Sequence, residues 1–325
     1  MRNPIPKIWR RRIVGTAGLL LAVWAVVAAA GWAGYLGWEA ELFANFSMAP
    51  VLAAVAAVVL LALSFGRLAA GLGCVAFVMV IGCTMLPKPC LPAGVPAGAT
   101  VRFATWNACL GGLSPQAVVR WIEANDPDVI AFEEITQKLH GELEKPLRAR
   151  YPYYLGNPRS GPGGLAIFSK LPITNWQRLT GRTHFASCNL QWPGGPVCKI
   201  VIAHTPAPTS GGWYRARADV LHEVAASVMG EPRPLIVLGD FNSTWAVKDF
   251  RDFCRVTNLL PATNHLPSWN SALPGWLRIP IDHVLAQPSN FLVVATAAGS
   301  EGSGSDHLPV LAEIELRRPS LTAAR

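Results

Sequence analysis

Charge is what the early part of this sequence lacks. Between Ile13 and Leu86 the only acidic or basic residues are Glu39, Glu41 and Arg67. Over the whole chain of 325 residues, 15% are charged and 51% hydrophobic, with a mean hydropathy of +0.30. That balance is too apolar for an ordinary soluble protein. The deficit ends at Lys88, beyond which charges and turn residues recur as in a globular domain. The length from there to Arg325 suffices for one large domain with a proper core. Basic clusters are missing too. Six of the 28 basic and two of the 20 acidic residues precede Lys88, which leaves the downstream part at about +4. Such a mild excess suits an anionic substrate, whereas a dedicated nucleic-acid surface calls for clustered Lys and Arg. Zinc-type Cys/His spacing, internal repeats and low-complexity tracts are likewise absent.

The charge-poor region reads as a membrane anchor. Residues 13–38 form an apolar run long enough for a hydrocarbon core that needs about 20 residues. Its apolar core exceeds that of a cleaved signal peptide, and more apolar sequence follows. Residues 48–86 are too long for one span and are punctuated by Gly66-Arg67, so two spans, 48–65 and 68–86, are expected. Lys7, Arg10, Arg11 and Arg12 place the N-terminal end in the cytoplasm. Three spans then put residues from Lys88 onward on the periplasmic or extracellular side of a bacterial inner (cell) membrane. A linker is expected over 87–100 and a catalytic domain over 101–325. Cys188 and Cys198 flank the turn signal Trp192-Pro193-Gly194-Gly195-Pro196 between two strand-like runs. They read either as a hairpin disulfide, which an oxidising compartment permits, or as two buried free thiols.

Beyond the linker, strand-like runs are expected at 101–106, 128–132, 165–168, 185–191, 197–204, 235–238, 281–286, 291–296 and 310–316. Helical spacing appears at 114–124, 135–150 and 215–229. This is the pattern of an α/β domain with helices covering sheet faces, with two sheets packed together. Polar residues recur where strands end. Leu235-Ile236-Val237-Leu238-Gly239 leads into Asp240 and Asn242, two apart and so on one side of an extended chain. Asn107, Glu134, His204, Asp282 with His283, and Asp306 with His307 stand at other strand ends, where α/β folds collect their sites. Hard oxygen ligands with one or two imidazoles favour Mg²⁺ or Mn²⁺ over Zn²⁺. Such a set suits hydrolysis of a phosphate ester, with a side chain activating water and amides holding phosphoryl oxygens.

Six motifs in order make the set recognisable: Thr105-Trp106-Asn107, Pro127 to Glu134, Gly164 to Lys170, Gly239-Asp240-Phe241-Asn242, Ile281-Asp282-His283-Val284 and Gly304 to Val310. Together they resemble the endonuclease/exonuclease/phosphatase superfamily over about residues 101–316. The hydrophobic N-terminal region and Leu277 to His283 look most like its membrane-anchored bacterial members. The resemblance implies a DNase I-like four-layered α/β sandwich, here preceded by a three-helix transmembrane region. It implies a membrane-embedded, metal-dependent hydrolase of phosphodiesters or phosphomonoesters. The substrate is then a nucleic acid, a lipid or a small molecule, with a dedicated nuclease or a catalytically silent binding module as alternatives. It casts Glu134 as metal ligand, with Asn107 and Asp306 on the metal side. Asp240 would orient or deprotonate the attacking water, and Asn242 would hold a phosphate oxygen. Asp282 would support His307 at the scissile phosphate, and His204 would stand near the leaving group. Glu133 takes the place of a neutral residue common in the family and is expected to be solvated or hydrogen-bonded. His283 is expected to be structural. Arg215 and Arg217 are expected on a solvated helix turn, with reach to an anionic substrate as the alternative, and Trp213, Trp245 and Trp269 either wall the cleft or pack in the core or on the membrane surface. No Tyr stands where some DNA-repair members place one.

Overall fold

A computed structural model describes residues 6–33, 37–45, 54–60, 74–75, 78, 88–178, 185–299 and 302–317. The chain divides into two compact units, residues 1–88 with 245–248, and residues 89–244 with 249–325.

In the first unit, α1 (Lys7–Ala33) and α2 (Trp38–Asn45) are followed by a helical stretch at 54–60. Ile13, Leu19, Leu20 and Val23 of α1 are exposed. Among the described residues, no helix is long and apolar enough to cross a membrane. The expected three-helix transmembrane region is therefore not confirmed, and spans 48–65 and 68–86 lie for the most part outside the described residues.

The second unit is built on two six-stranded sheets. The first contains β1 (Thr100–Asn107), β2 (Val129–Glu133), β3 (Tyr153–Asn157), β4 (Leu165–Ser169), β11 (Phe291–Ala298) and β12 (Val310–Leu316) in the order β11-β12-β1-β2-β4-β3. The second contains β5 (Ile173–Arg178), β6 (Phe185–Gln191), β7 (Val197–Ala203), β8 (Leu235–Asp240), β9 (Leu260–Pro261) and β10 (Asp282–Ala286) in the order β5-β6-β7-β8-β10-β9. Each has one parallel pair, β1 with β2 and β7 with β8, flanked by antiparallel neighbours.

Side chains alternate across a strand, and this sorts the core into layers. Val101 and Phe103 of β1 face the second sheet and pack with Val129, Ala131, Ile200, Ile202, Ile236, Leu238 and Val284. Ala104 and Trp106 point the other way, onto α3 (Pro115–Asn125) and α4 (Gln137–Arg148) through Val118, Trp121, Ile122, Leu139 and Leu143. Ser114 caps α3 by accepting the Ala117 amide, with Pro115 at the first helical position as expected. The second sheet is accompanied by α5 (Gly211–Val228) and α6 (Lys248–Thr257). The result is the four-layered α/β sandwich.

The stretch expected as a linker is docked: Leu91 is buried with its amide on the Pro261 carbonyl, and Gly94 and Ala97 donate to the Val293 carbonyl and Glu315 Oε1. Cys188 and Cys198 are free buried thiols, not a disulfide. The hairpin register sets Cys188 opposite Ile200 and Cys198 opposite Leu190, so the two are diagonal neighbours. A diagonal pair stands about 7–8 Å apart, beyond what a disulfide spans.

Candidate active site

The cleft-facing end of both sheets is where their parallel pairs stop. Asn107 closes β1, and inward-pointing Thr105 precedes it. Glu134 follows β2 with a left-handed backbone (φ +53), which breaks the strand alternation that would set it with Ile130 and Phe132, and it lines the cleft. Asp240 closes β8, and Asn242 beyond it is also left-handed (φ +44). Gly239 has φ +140, and a Cβ there would lie 2.0 Å from the Ala203 carbonyl oxygen. Only glycine allows β8 to run this close to β7 just before Asp240.

Asp240 is the hub. It is buried, and its Oδ2 accepts from Asn107 Nδ2 at 3.0 Å and from Asn242 Nδ2 at 3.1 Å, while Oδ1 accepts the Asn242 amide at 2.8 Å. The second N–H of Asn107 reaches Glu134 Oε1 at 3.3 Å. That of Asn242 goes to the Thr205 carbonyl at 2.8 Å. Asn242 therefore orients Asp240 here, with both amide hydrogens engaged. Burial pushes the Asp240 carboxyl up to about 6, and neighbouring Asp282 adds to this, against the opposing pull of His307 and His204.

Two histidines face this carboxylate. His204 donates Nδ1 to the Pro162 carbonyl at 3.0 Å, which aims Nε2 at Glu134 Oε1 (3.5 Å) and Asp240 Oδ2 (3.7 Å). His307 Nδ1 sits 2.9 Å from Asp282 Oδ2, and its Nε2 lies 3.8 Å from Asp240 Oδ2 and 4.0 Å from Asp306 Oδ1. Its backbone is fixed to β1, since Trp106 Nε1 donates to its carbonyl and Ser305 Oγ bridges its amide to the Asn107 carbonyl. Burial opposes charge on His307, but Asp282, Asp240 and Asp306 together outweigh it and raise the imidazole to about 10. His307 is thus an imidazolium at neutral pH.

The ligand atoms of Asp240, Asp282 and His307 lie within 4.8 Å of one another, a spacing that could hold a metal ion. In that cluster the Asp282–His307 contact already engages Nδ1 of the ring and one oxygen of Asp282. The better receiver of a hard cation is the expected oxygen set: the half-buried carboxylate of Glu134 with Asn107 and Asp306, which line the same cleft. Asp306 is oriented there by Trp269 Nε1 at 2.8 Å.

All eight expected site residues converge. Seven line a cleft of about 390 Å³ or touch its lining, and the eighth, Asp282, is fully buried behind His307. Trp213 and Trp269 stand in its wall. His283 is structural as expected: it is buried with Nε2 on the Ser243 carbonyl and its ring stacked on Phe250, and burial lowers it to about 4.

Glu133, expected to be solvated or hydrogen-bonded, is hydrogen-bonded and not solvated: it is fully buried beneath the site, with Oε1 accepting from Thr105 Oγ1 at 2.7 Å. Burial holds its carboxyl well above the usual range, reinforced by Asp282 and Asp240 against the Thr105 hydrogen bond. The strand alternation that makes Val129 and Ala131 inward-facing already places Glu133 with them. Arg217 is not on a solvated turn either. It is fully buried, and Nη1 donates to the Asn242 carbonyl at 3.3 Å. Its helical spacing from Val220, Leu221 and Val224 puts it on the buried stripe of α5.

Two packed mixed sheets with carboxylates, amides and histidines at their strand ends define the class of α/β-sandwich phosphoester hydrolases. The chain belongs to the endonuclease/exonuclease/phosphatase family, whose sequence model matches residues 104–307. No curated protein matches it in sequence. Among solved structures it is similar to an endonuclease/exonuclease/phosphatase from Beutenbergia cavernae (18% identity over 67% of this chain and 72% of that one, TM-score 0.57). It is also similar to the human Nocturnin catalytic domain with bound sulfate (22% identity, 67% and 95% covered, TM-score 0.54). A third is D. rerio TDP2 complexed with a single-strand DNA product (15% identity, 67% and 100% covered, TM-score 0.56). At these identities the likeness is one of fold.

Proposed function

We propose that this chain is a membrane-anchored, divalent-metal-dependent phosphoesterase that cleaves phosphodiester or phosphomonoester bonds with an activated water. The observation that carries the reading is Asp240: a buried carboxylate fixed by three N–H donors, with two histidine Nε2 atoms within 3.8 Å. A base raised to about 6 is matched to work near neutral pH. Asp240 takes the proton of the attacking water. His307, kept cationic by Asp282, stabilises the charge that develops on the phosphoryl oxygens. His204 stands where it can stabilise or protonate the leaving oxygen. Glu134, Asn107 and Asp306 would hold Mg²⁺ or Mn²⁺, which when bound polarises a phosphoryl oxygen.

The test is turnover of bis(p-nitrophenyl) phosphate by the full-length chain with Mg²⁺, Mn²⁺ or chelator. Activity should vanish with chelator and return with either metal, and Asp240→Ala or His307→Ala should lower it by roughly 10²–10⁴-fold. Absence of turnover on this and other phosphate esters, or variants equal to wild type, refutes the enzyme reading. The membrane attachment and an outward-facing domain are supported by the hydropathy of 13–38 and 48–86 and the basic residues before Ile13. A C-terminal alkaline phosphatase fusion should be active and a C-terminal fluorescent-protein fusion dark; the reverse refutes that topology.

A further inference from the structure

The organic part of the substrate is unassigned by this site chemistry, and α5 bears on it. Trp213 occupies the third position of α5, where its amide donates to Ser210 Oγ at 3.3 Å. The residue is 55% exposed while forming part of the cleft wall. Four residues on, Arg217 is fully buried, tied to the Asn242 carbonyl and packed over the Tyr214 ring at 5.2 Å. Residues i and i+4 share a helix face. The turn that carries Trp213 is thereby pinned to the segment that carries Asp240 and Asn242. The backbone that carries the indole is thus tied to the segment of the catalytic carboxylate, and the indole itself forms part of the cleft wall. Pro162, Pro206, Ala207 and Trp269 continue the same wall, and no Lys or Arg stands among the described residues that line the cleft.

We infer that Trp213 is a stacking platform for a flat ring on the substrate, so that the preferred substrates are phosphodiesters bearing a nucleobase or other planar aromatic group beside the scissile phosphate. This rests on the phosphoesterase reading. A large aromatic surface left open to water in a cleft is stabilised by a partner that covers it. Stacking of a base on an aromatic side chain contributes about 1–3 kcal/mol and is indifferent to which base is present. Neighbouring phosphates of a long strand would instead require basic side chains along the groove, which this lining does not offer. One phosphate and one ring match the lining.

The test compares two ring-bearing diesters, bis(p-nitrophenyl) phosphate and a dinucleotide, with the ring-free diester glycerophosphocholine, using the full-length chain. Trp213→Ala should raise KM for the ring-bearing diesters about tenfold, in line with the loss of one stack, with kcat within about twofold. Glycerophosphocholine should be unaffected, and Trp213→Phe should restore most of the loss. An effect on only one ring-bearing diester identifies which kind of ring the platform takes and supports the inference. Should Trp213→Ala not fold, Trp213→Leu, which keeps bulk without a flat ring, carries the same expectations. Unchanged KM for both ring-bearing diesters, or equal losses on all three, overturns the inference. Turnover of glycerophosphocholine alone leaves the phosphoesterase reading standing and overturns this one, whereas no turnover of any diester overturns both.

Discussion

Asp282→Asn isolates one charge without changing shape, which makes it a sharp probe of the site. Asp282 is fully buried and lies 2.9 Å from His307 Nδ1, and it is the largest of the groups that favour the imidazolium. The distance between the ordinary histidine value of 6.5 and about 10 corresponds to roughly 5 kcal/mol in favour of the charged ring. His307 bears a raised value, so its charged form, and the stability it brings, is fully present below 6.5 and lost as pH rises through about 10. Asp240 supplies the other limb, since it must be ionised to act as base and is raised to about 6. Wild-type kcat/KM against pH should therefore be bell-shaped, rising near 6 and falling near 10. In Asp282→Asn the carboxamide no longer favours the cation, and an amide that turns its N–H₂ toward Nδ1 favours the wrong tautomer. The descending limb should move down by about two pH units, and kcat at pH 8 should fall by roughly 10²–10⁴-fold. The assay is initial-rate turnover of bis(p-nitrophenyl) phosphate from pH 5 to 11, with thermal melting as the check on folding. An unshifted descending limb in a folded variant would show that His307 does not act as a cation.

Further outcomes follow from the same packing. Glu133→Gln should keep activity within about threefold, because an amide of the same shape still accepts from Thr105 and adds no charge beneath the site. Glu133 has a raised value, so the stability its protonated form brings is fully present below the usual carboxylate value of 4.5 and is lost as pH rises from there toward its folded value; thermal melts should therefore show Glu133→Gln gaining on wild type as pH rises above 4.5, and a difference independent of pH would refute the shift. Gly239→Ala forces a Cβ to 2.0 Å from the Ala203 carbonyl at φ +140 and should cost more than about 3 kcal/mol in denaturant titration; a cost below about 1 kcal/mol would refute the close approach. Cys188 and Cys198, whose thiols burial raises to about 12, should react with a thiol reagent only after denaturation. Reductant should leave the melting temperature unchanged, and a drop on reduction would reveal a disulfide.

What could be read in the sequence follows physical lines. The central strands were legible because a strand buried on both faces must be continuously apolar, as Leu235–Leu238 is. The polar residue at either end of such a run is conspicuous, which is how Asn107, Glu134, His204 and Asp240 stood out after their strands and Asp282 at the start of its own. The strands at Tyr153–Asn157 and Ile173–Arg178 went unseen because their burial is partial, leaving no apolar run to detect. The helix Lys248–Thr257 left a usable signal, Phe250, Phe253, Cys254 and Thr257 at helical spacing, all buried. Neither the resemblance nor hydropathy placed Glu133 and Arg217 in the interior. Both are charged residue types whose burial is decided by the face they occupy, inward on β2 for one and along the stripe of α5 for the other. The register of the hairpin that carries Cys188 and Cys198 was open because the turn residues fix a reversal without fixing which residues end up opposite.

The sequence shows no internal repeat, yet the two sheets repeat one another. Taken from β11 in one and β9 in the other, both show the same succession of antiparallel, antiparallel, parallel, antiparallel and antiparallel neighbours. Such a repeat demands only apolar residues at alternate positions, and Val, Ile, Leu, Ala and Phe exchange freely in that role, so the backbone can repeat while the residues do not. The functional residues sit at corresponding places. Asn107 ends β1 where Asp240 ends β8, and Glu134 follows β2 where His204 follows β7. Asp282 opens β10, while His307 shortly precedes β12. The repeat explains the site's chemistry, because each pair holds unlike groups: an amide against a carboxylate, a carboxylate against an imidazole, and an acid against the base it ionises. Identical residues in the two halves would have set like charges face to face across the cleft. Divergence of the paired strand ends therefore makes Asn107 a donor to Asp240 and Asp282 the partner of His307, and it also removes the repeat from the sequence.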